Sequence, residues 1–135
     1  MRAEALSALE GSGLIVHAGD IGSAEVLAVL QRIAPVTAVR GNNDFGPWAE
    51  KIPERAELTA DGVKILVLHD LSELGPARGY GVVVTGHSHQ PKAEKRGGVL
   101  YINPGSAGPR RFKLPISVGR LTIAEGTIEH ELISL

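Results

Sequence analysis

Four short stretches of the chain carry the side chains most able to do chemistry: Gly19–Asp20, Gly41–Asn42–Asn43–Asp44, His69–Asp70 and Gly86–His87–Ser88–His89. Each follows a run of apolar, β-type residues: Leu14–His17, Val36–Val39, Val63–Leu68 and Val82–Thr85. Ligands gather at the carboxyl ends of strands in α/β sheets, so four such loops can converge on one rim. A glycine just before a ligand lets the backbone turn sharply and brings the side chain into a crowded site. In an extended segment, His87 and His89 point to the same side, a common way of presenting two imidazoles to a metal. Each signal alone has a plain structural reading. Gly-Asp and Asn42 are ordinary turn residues, His69 can close a strand, and the histidine pair can be a hydrogen-bonded loop. The chain has no cysteine, so any metal must sit on imidazole, carboxylate and amide oxygen.

The elements that must position these loops follow from periodicity. An apolar stripe of Ala5, Leu6 and Leu9, stopped by Gly11 and Gly13, predicts an opening helix. Leu14–His17 predicts a buried strand. Ser23 is the expected N-cap of a second helix that buries Val26, Leu27, Leu30 and Ile33 and is broken by Pro35. Val36–Val39 and Gly81–Thr85 predict further buried strands, and Ser72–Arg78 a short helix weakened by Gly75–Pro76. Three hairpins are expected around Asp61–Gly62, Gly97–Gly98 and Glu125–Gly126. The last of them joins Ile116–Ile123 to Thr127–Leu132. Alternating strands and helices followed by hairpins predict an α/β fold, with two mixed β-sheets packed as a sandwich and helices flanking them. With 135 residues and neither a repeat nor a linker, the expected organisation is a single domain over residues 1–135.

Composition narrows the function classes. Fourteen Lys and Arg nearly balance fifteen Asp and Glu, so no global field favours nucleic acid or an anionic membrane. The densest basic cluster, Arg110, Arg111 and Lys113, is local, and either a phosphate contact or a solvated face fits it. No apolar run reaches membrane-spanning length and no signal-peptide pattern opens the chain, so the expected compartment is the cytoplasm. His17, inside an apolar strand, is expected to be core or to support the site. Trp48 is expected to pack rather than to line a cleft.

The four loops in this order, GD, GNND, H and GHSH, with the closing Asn103–Pro104–Gly105–Ser106 loop, resemble the calcineurin-like metallophosphoesterase superfamily, in particular its small prokaryotic phosphodiesterases. The resemblance implies a metal-dependent phosphodiesterase that cleaves phosphoester bonds in a small substrate with metal-bound hydroxide. It implies Asp20 as the carboxylate bridging two metals, Asn42, His69 and His87 as the other ligands of one metal, and His89 as a ligand of the second. Two cations about 3.5–4 Å apart can hold a phosphate and generate hydroxide between them. Imidazole and oxygen donors without thiolate suit Mn²⁺, the leading candidate, and also Zn²⁺, Fe²⁺ or Ni²⁺, better than Ca²⁺.

Two departures from the family pattern matter. Family members begin with a strand ending in Asp-x-His, which supplies ligands to the metal that His89 serves. Here nothing precedes the helix at Ala3, so the fold must close a gap or leave a groove. Asn43 stands where many members have a histidine thought to protonate the leaving oxygen. An amide is no acid at neutral pH, although it can donate a hydrogen bond, so Asn43 is expected to serve diesters better than monoesters. A single-metal or catalytically weakened relative acting as a binding or scaffold protein, as in a retromer subunit of this fold, is the alternative. A chain that continues upstream would reconcile the two. Loss of an inner strand also predicts homo-oligomer formation through exposed sheet edge.

Overall fold

The computed structural model describes residues 3–74, 79–88, 90–106 and 117–135. His89, the basic cluster at 110–113, the second half of the helix expected over Ser72–Arg78 and the start of the strand expected from Ile116 lie outside the described residues.

The centre is a five-stranded sheet of β3 (Arg55–Ala60), β4 (Val63–Leu68), β5 (Val82–Val84), β6 (Lys92–Arg96) and β7 (Val99–Asn103), in the order β3-β4-β5-β7-β6. The three inner strands run parallel, and the two outer ones pair antiparallel through hairpins. Sequence explains the order. β5 is Val-Val-Val, buried throughout, and β4 is buried except at Lys64, as strands covered on both faces must be. β6, with Lys92, Glu94, Lys95 and Arg96, is a charged edge that resists pairing with another chain. Both turns use two residues of positive φ, Asp61–Gly62 and Gly97–Gly98, the geometry whose twist matches the flanking strands.

A second layer lies on one face of this sheet as two separate pieces. β1 (Ile15–His17) pairs parallel with β2 (Val36–Ala38), and β8 (Ser117–Ala124) pairs antiparallel with β9 (Thr127–Ser134) across Glu125–Gly126. The main core lies between the layers. Ile65, Val67, Val82, Val84 and Ile102 from the five-stranded sheet meet Val16 and Ala18 from the β1 side, and Leu121, Ile128 and Leu132 from the terminal hairpin. The mixed sandwich read from the sequence is therefore present. Its flanking helices, α1 (Ala3–Leu9) and α2 (Ala24–Gln31), cover the outside of β1–β2, where Leu6, Leu9 and Val26 pack on Ile15, Leu30 and Ala34.

Local details differ from expectation for identifiable reasons. Ser23 occupies the N-cap of α2 in extended conformation, but its side chain makes no cap hydrogen bond. The helix ends at Gln31, four residues before Pro35, because the Ile33 and Ala34 N–H groups fold back on the Leu30 carbonyl. The segment after His69 begins as a 3₁₀ turn, Leu71–Glu73, capped by the Asp70 side chain accepting from the Ser72 N–H. One short helix, α3 (Pro47–Glu50), has no periodicity to announce it, being a single turn with proline at its start.

Between the two pieces of the second layer lies a groove of about 730 Å³, lined by Val16, Ala18, Val118 and Leu121 and running to Asp20 and His87. Ile15 donates to the Pro35 carbonyl and His17 accepts from the Val39 N–H. In a parallel pair this alternation turns the Val16 N–H and carbonyl toward the groove. The gap is left as a groove.

Candidate metal centre

The parallel pairings bring the four loops to one rim. β4 and β5 are parallel neighbours, so His69 and Gly86 leave the sheet side by side, with the Gly86 N–H donating to the His69 carbonyl at 2.9 Å. β1 and β2 are parallel too, so the Asp20 and Asn42 loops leave together. The two pairs are joined by His69, whose Nδ1 lies 2.7 Å from the Ala18 carbonyl oxygen.

That contact fixes a tautomer. A carbonyl only accepts, so His69 Nδ1 carries a proton and the ring presents Nε2 to the site. Asn42 Oδ1 lies 2.7 Å from His69 Nε2 and 3.2 Å from His87 Nδ1, and the two ring nitrogens are 3.3 Å apart. His69 Nε2 and Asn42 Oδ1 face one another within hydrogen-bond distance. Donors bonded to one cation at ~2.1 Å sit roughly 3.0–3.4 Å apart, close to the spacing found here. Asp20 Oδ2, 3.5 Å from His69 Nε2, adds a negative charge at the edge of the set.

Fit to a divalent cation therefore rests on two imidazole nitrogens and an amide oxygen. Among the described residues no three His, Asp or Glu side chains form a preformed metal cluster by themselves. The structure brings Asp20, Asn42, Asn43, His69 and His87 together, and His89 lies outside the described residues.

The surrounding shell is built to hold these groups. Asn43 donates its main-chain N–H to Asp20 Oδ1 at 3.1 Å and faces Oδ2 with its side-chain amide at 3.4 Å, so it steadies the carboxylate. Asp70 Oδ2 lies 4.0 Å from His87 Nε2, while His87 Nδ1 faces Asn42 and His69. The Ser72 backbone N–H and hydroxyl hold the Asp70 carboxyl below its usual range, so it stays ionised. Burial pushes the His17 imidazole below its usual range, against Asp44 and Asp20, which raise it. Neutral His17 accepts the Gly19 N–H on Nδ1 at 3.3 Å.

Close approach explains two glycines. A Cβ on Gly41 would stand 2.3 Å from Asp20 Oδ1, and one on Gly19, which has φ +100°, would stand 2.5 Å from His69 Nδ1. Asp20 (φ 54°) and His87 (φ 66°) are themselves left-handed without being glycine. Such strain costs about 1–3 kcal/mol per residue and collects at functional sites.

Two structural residues had no role read from the sequence. Asp44, 4% exposed, accepts the N–H groups of Ile21 at 3.1 Å, Gly22 at 3.0 Å and Gly41 at 2.8 Å, and so ties the Asp20 loop to the Asn42 loop. The only sequence signal was an Asp three residues after a loop glycine, the spacing of a local side-chain turn. Asn103 donates to the Gly86 carbonyl at 2.9 Å and the Ser88 hydroxyl at 3.0 Å, and fixes the His87 loop.

Comparison with known proteins identifies the family of the chain. Residues 1–126 match the model of the calcineurin-like phosphoesterase superfamily domain. The chain is 32% identical over 133 residues to a probable metallophosphoesterase of Methanocaldococcus jannaschii, covering 90% of this chain and 66% of that one. It is 32% identical over 111 residues to phosphodiesterase YfcE of Escherichia coli, covering 73% of this chain and 59% of that one. The chain thus spans about two thirds or less of the length of these relatives. Among solved structures, Vps29 of Entamoeba histolytica complexed with zinc superposes with a TM-score of 0.77 at 20% identity, covering 99% of this chain and 89% of that one. With the loop order, the fold and the family match in agreement, the chain belongs to the calcineurin-like phosphoesterase superfamily.

Proposed function

We propose that this protein is a metal-dependent phosphodiesterase whose better-formed cation site consists of Asn42, His69 and His87, with Asp20 beside it as the bridging carboxylate toward a second cation served by His89. What supports the reading is the convergence of Asn42 Oδ1, His69 Nε2 and His87 Nδ1 within 3.3 Å of one another, near the spacing of donors around one cation. A bound divalent ion, Mn²⁺ first among Mn²⁺, Zn²⁺, Fe²⁺ and Ni²⁺, supplies Lewis acidity toward a phosphoryl oxygen and toward water. The chain's own residues orient the donors. Ala18 holds His69, Asp70 polarises His87, and Asn43 steadies Asp20. Asn43 offers no proton to a leaving oxygen, so activated diesters are the favoured substrates and alkyl monoesters the poorest.

The test is hydrolysis of bis(p-nitrophenyl) phosphate with Mn²⁺. The expected outcome is slow turnover, slower still on p-nitrophenyl phosphate, and none in Asp20→Asn. An N-terminal extension ending in Asp-x-His, for which the groove beside β1 has room, should raise the rate strongly. Turnover unaffected by Asp20→Asn and by the extension would refute the reading.

One observation favours a second reading, a single-metal binding or scaffold module. Two imidazoles and an amide make one donor set among the described residues. A cation bound with no turnover on any diester would select it.

A further inference from the structure

Beside these donors lies a second pocket of about 440 Å³ lined by Arg40, Phe45, Glu50, Glu54 and Asp70 and reaching Asn42 and His87. We propose that this pocket binds a flat aromatic group, neutral or cationic, carried by the phosphodiester, and that Phe45 is the surface on which it stacks. The inference rests on the phosphodiesterase reading and adds the substrate class.

Phe45 is 76% exposed, the most exposed large apolar side chain among the described residues. Single exposed apolar residues are ordinary, so its position carries the inference. Phe45 is planted between two anchors. Asp44 before it is locked by three backbone N–H groups, and Ala49 after it is 1% exposed, with the Ala49 and Glu50 N–H groups folded back on the Gly46 carbonyl. The backbone on either side of Phe45 is held in this way, which keeps the ring on the wall of the site pocket. Folding gains nothing from leaving it in water.

Charge restricts what enters. Arg40 is held by Glu54 at 2.7 Å, and Glu50 and Asp70 leave the wall net negative. A substrate part bearing further phosphates or a carboxylate is repelled, whereas a neutral or cationic aryl ring or base is accepted. The phosphodiester itself, with one negative charge, is drawn to the cation. The pocket therefore distinguishes aromatic diesters from alkyl ones and from polyphosphates.

The test is calorimetric titration of the Mn²⁺-loaded protein with diphenyl phosphate and with diethyl phosphate, with the fluorescence of Trp48, which lines the turn at Gly46, as a second readout. Stacking on one aromatic side chain corresponds to about tenfold in affinity. Diphenyl phosphate is expected to bind about tenfold tighter than diethyl phosphate. Phe45→Ala should erase that difference while leaving diethyl phosphate unchanged, and Phe45→Trp should retain it. Equal binding of the two diesters by the wild type, or a preference that survives Phe45→Ala, overturns the stacking role and leaves the phosphodiesterase reading standing. Binding of neither diester overturns both.

Discussion

Replacing Asp44 by alanine should unlock the metal centre without touching any donor in it. The carboxylate is buried and accepts three N–H groups, from Ile21, Gly22 and Gly41. Ile21 and Gly41 are buried, so their N–H groups cannot recruit water, whereas Gly22 is exposed and can. Each orphaned buried donor costs about 1–3 kcal/mol, which sums to roughly 2–6 kcal/mol for the two. A domain of this size has only about 5–15 kcal/mol in total. In urea at a typical slope of about 1–3 kcal/mol per molar, the midpoint should fall by about 2 M, followed by far-ultraviolet circular dichroism with chelator present. Asp44→Asn keeps one acceptor oxygen and should lose about half as much. Because Asp44 is the tie between the Asp20 and Asn42 loops, saturating Mn²⁺ should raise the midpoint of Asp44→Ala much less than that of the wild type. An Asp44→Ala protein within about 0.5 kcal/mol of wild type would refute the bonding argument. A destabilised variant that gains the full metal stabilisation would refute the coupling between the loops.

Further outcomes follow from the same geometry. Calorimetry with Mn²⁺ should find one cation bound much more tightly than any other. His87→Ala should weaken it by at least about tenfold, since a donor is lost. Two tight, equivalent sites would contradict the donor set. His17 is held below its ordinary value of 6.5 by burial, so the unfolded chain takes up more protons. Its stabilising contribution is complete above that value and is lost as pH falls through it toward the folded value. The stability difference between wild type and His17→Asn should therefore shrink between pH 7.5 and 5.5, and a constant difference would count against a neutral buried imidazole. The β1 edge beside the groove predicts self-association through that edge, and a monodisperse monomer by light scattering at high concentration would contradict it.

The layered fold was legible because its signals are local. Val-Val-Val and Val-Lys-Ile-Leu-Val-Leu can only be inner strands here, and three dipeptides suited to positive φ mark the three hairpins. The loops that reach the rim were legible for the same reason, each glycine or ligand directly following a buried run. The ties between loops were hidden. Asp44 looks like a turn residue until the Ile21 and Gly22 N–H groups, more than twenty residues away, are seen to point at it. The tautomer of His69 depends on a backbone carbonyl, Ala18, fifty-one residues distant, which no residue type can announce. Division of the second layer into two pieces was legible only as one of two expected outcomes, a closed gap or a groove, because strand pairing is a choice between partners and each strand is locally as good in either. Phe45 read as part of a Phe-Gly-Pro turn, and only the pocket beside it suggests a use.

The central claim is that one divalent cation sits among Asn42, His69 and His87. Crystals equilibrated with Mn²⁺, measured on either side of the manganese absorption edge, test it directly. The predicted result is an anomalous peak about 2.0–2.3 Å from Asn42 Oδ1, His69 Nε2 and His87 Nδ1, with Asp20 as the nearest carboxylate. An anomalous map without a peak at that position at saturating metal, or with its strongest peak on other residues, would contradict it.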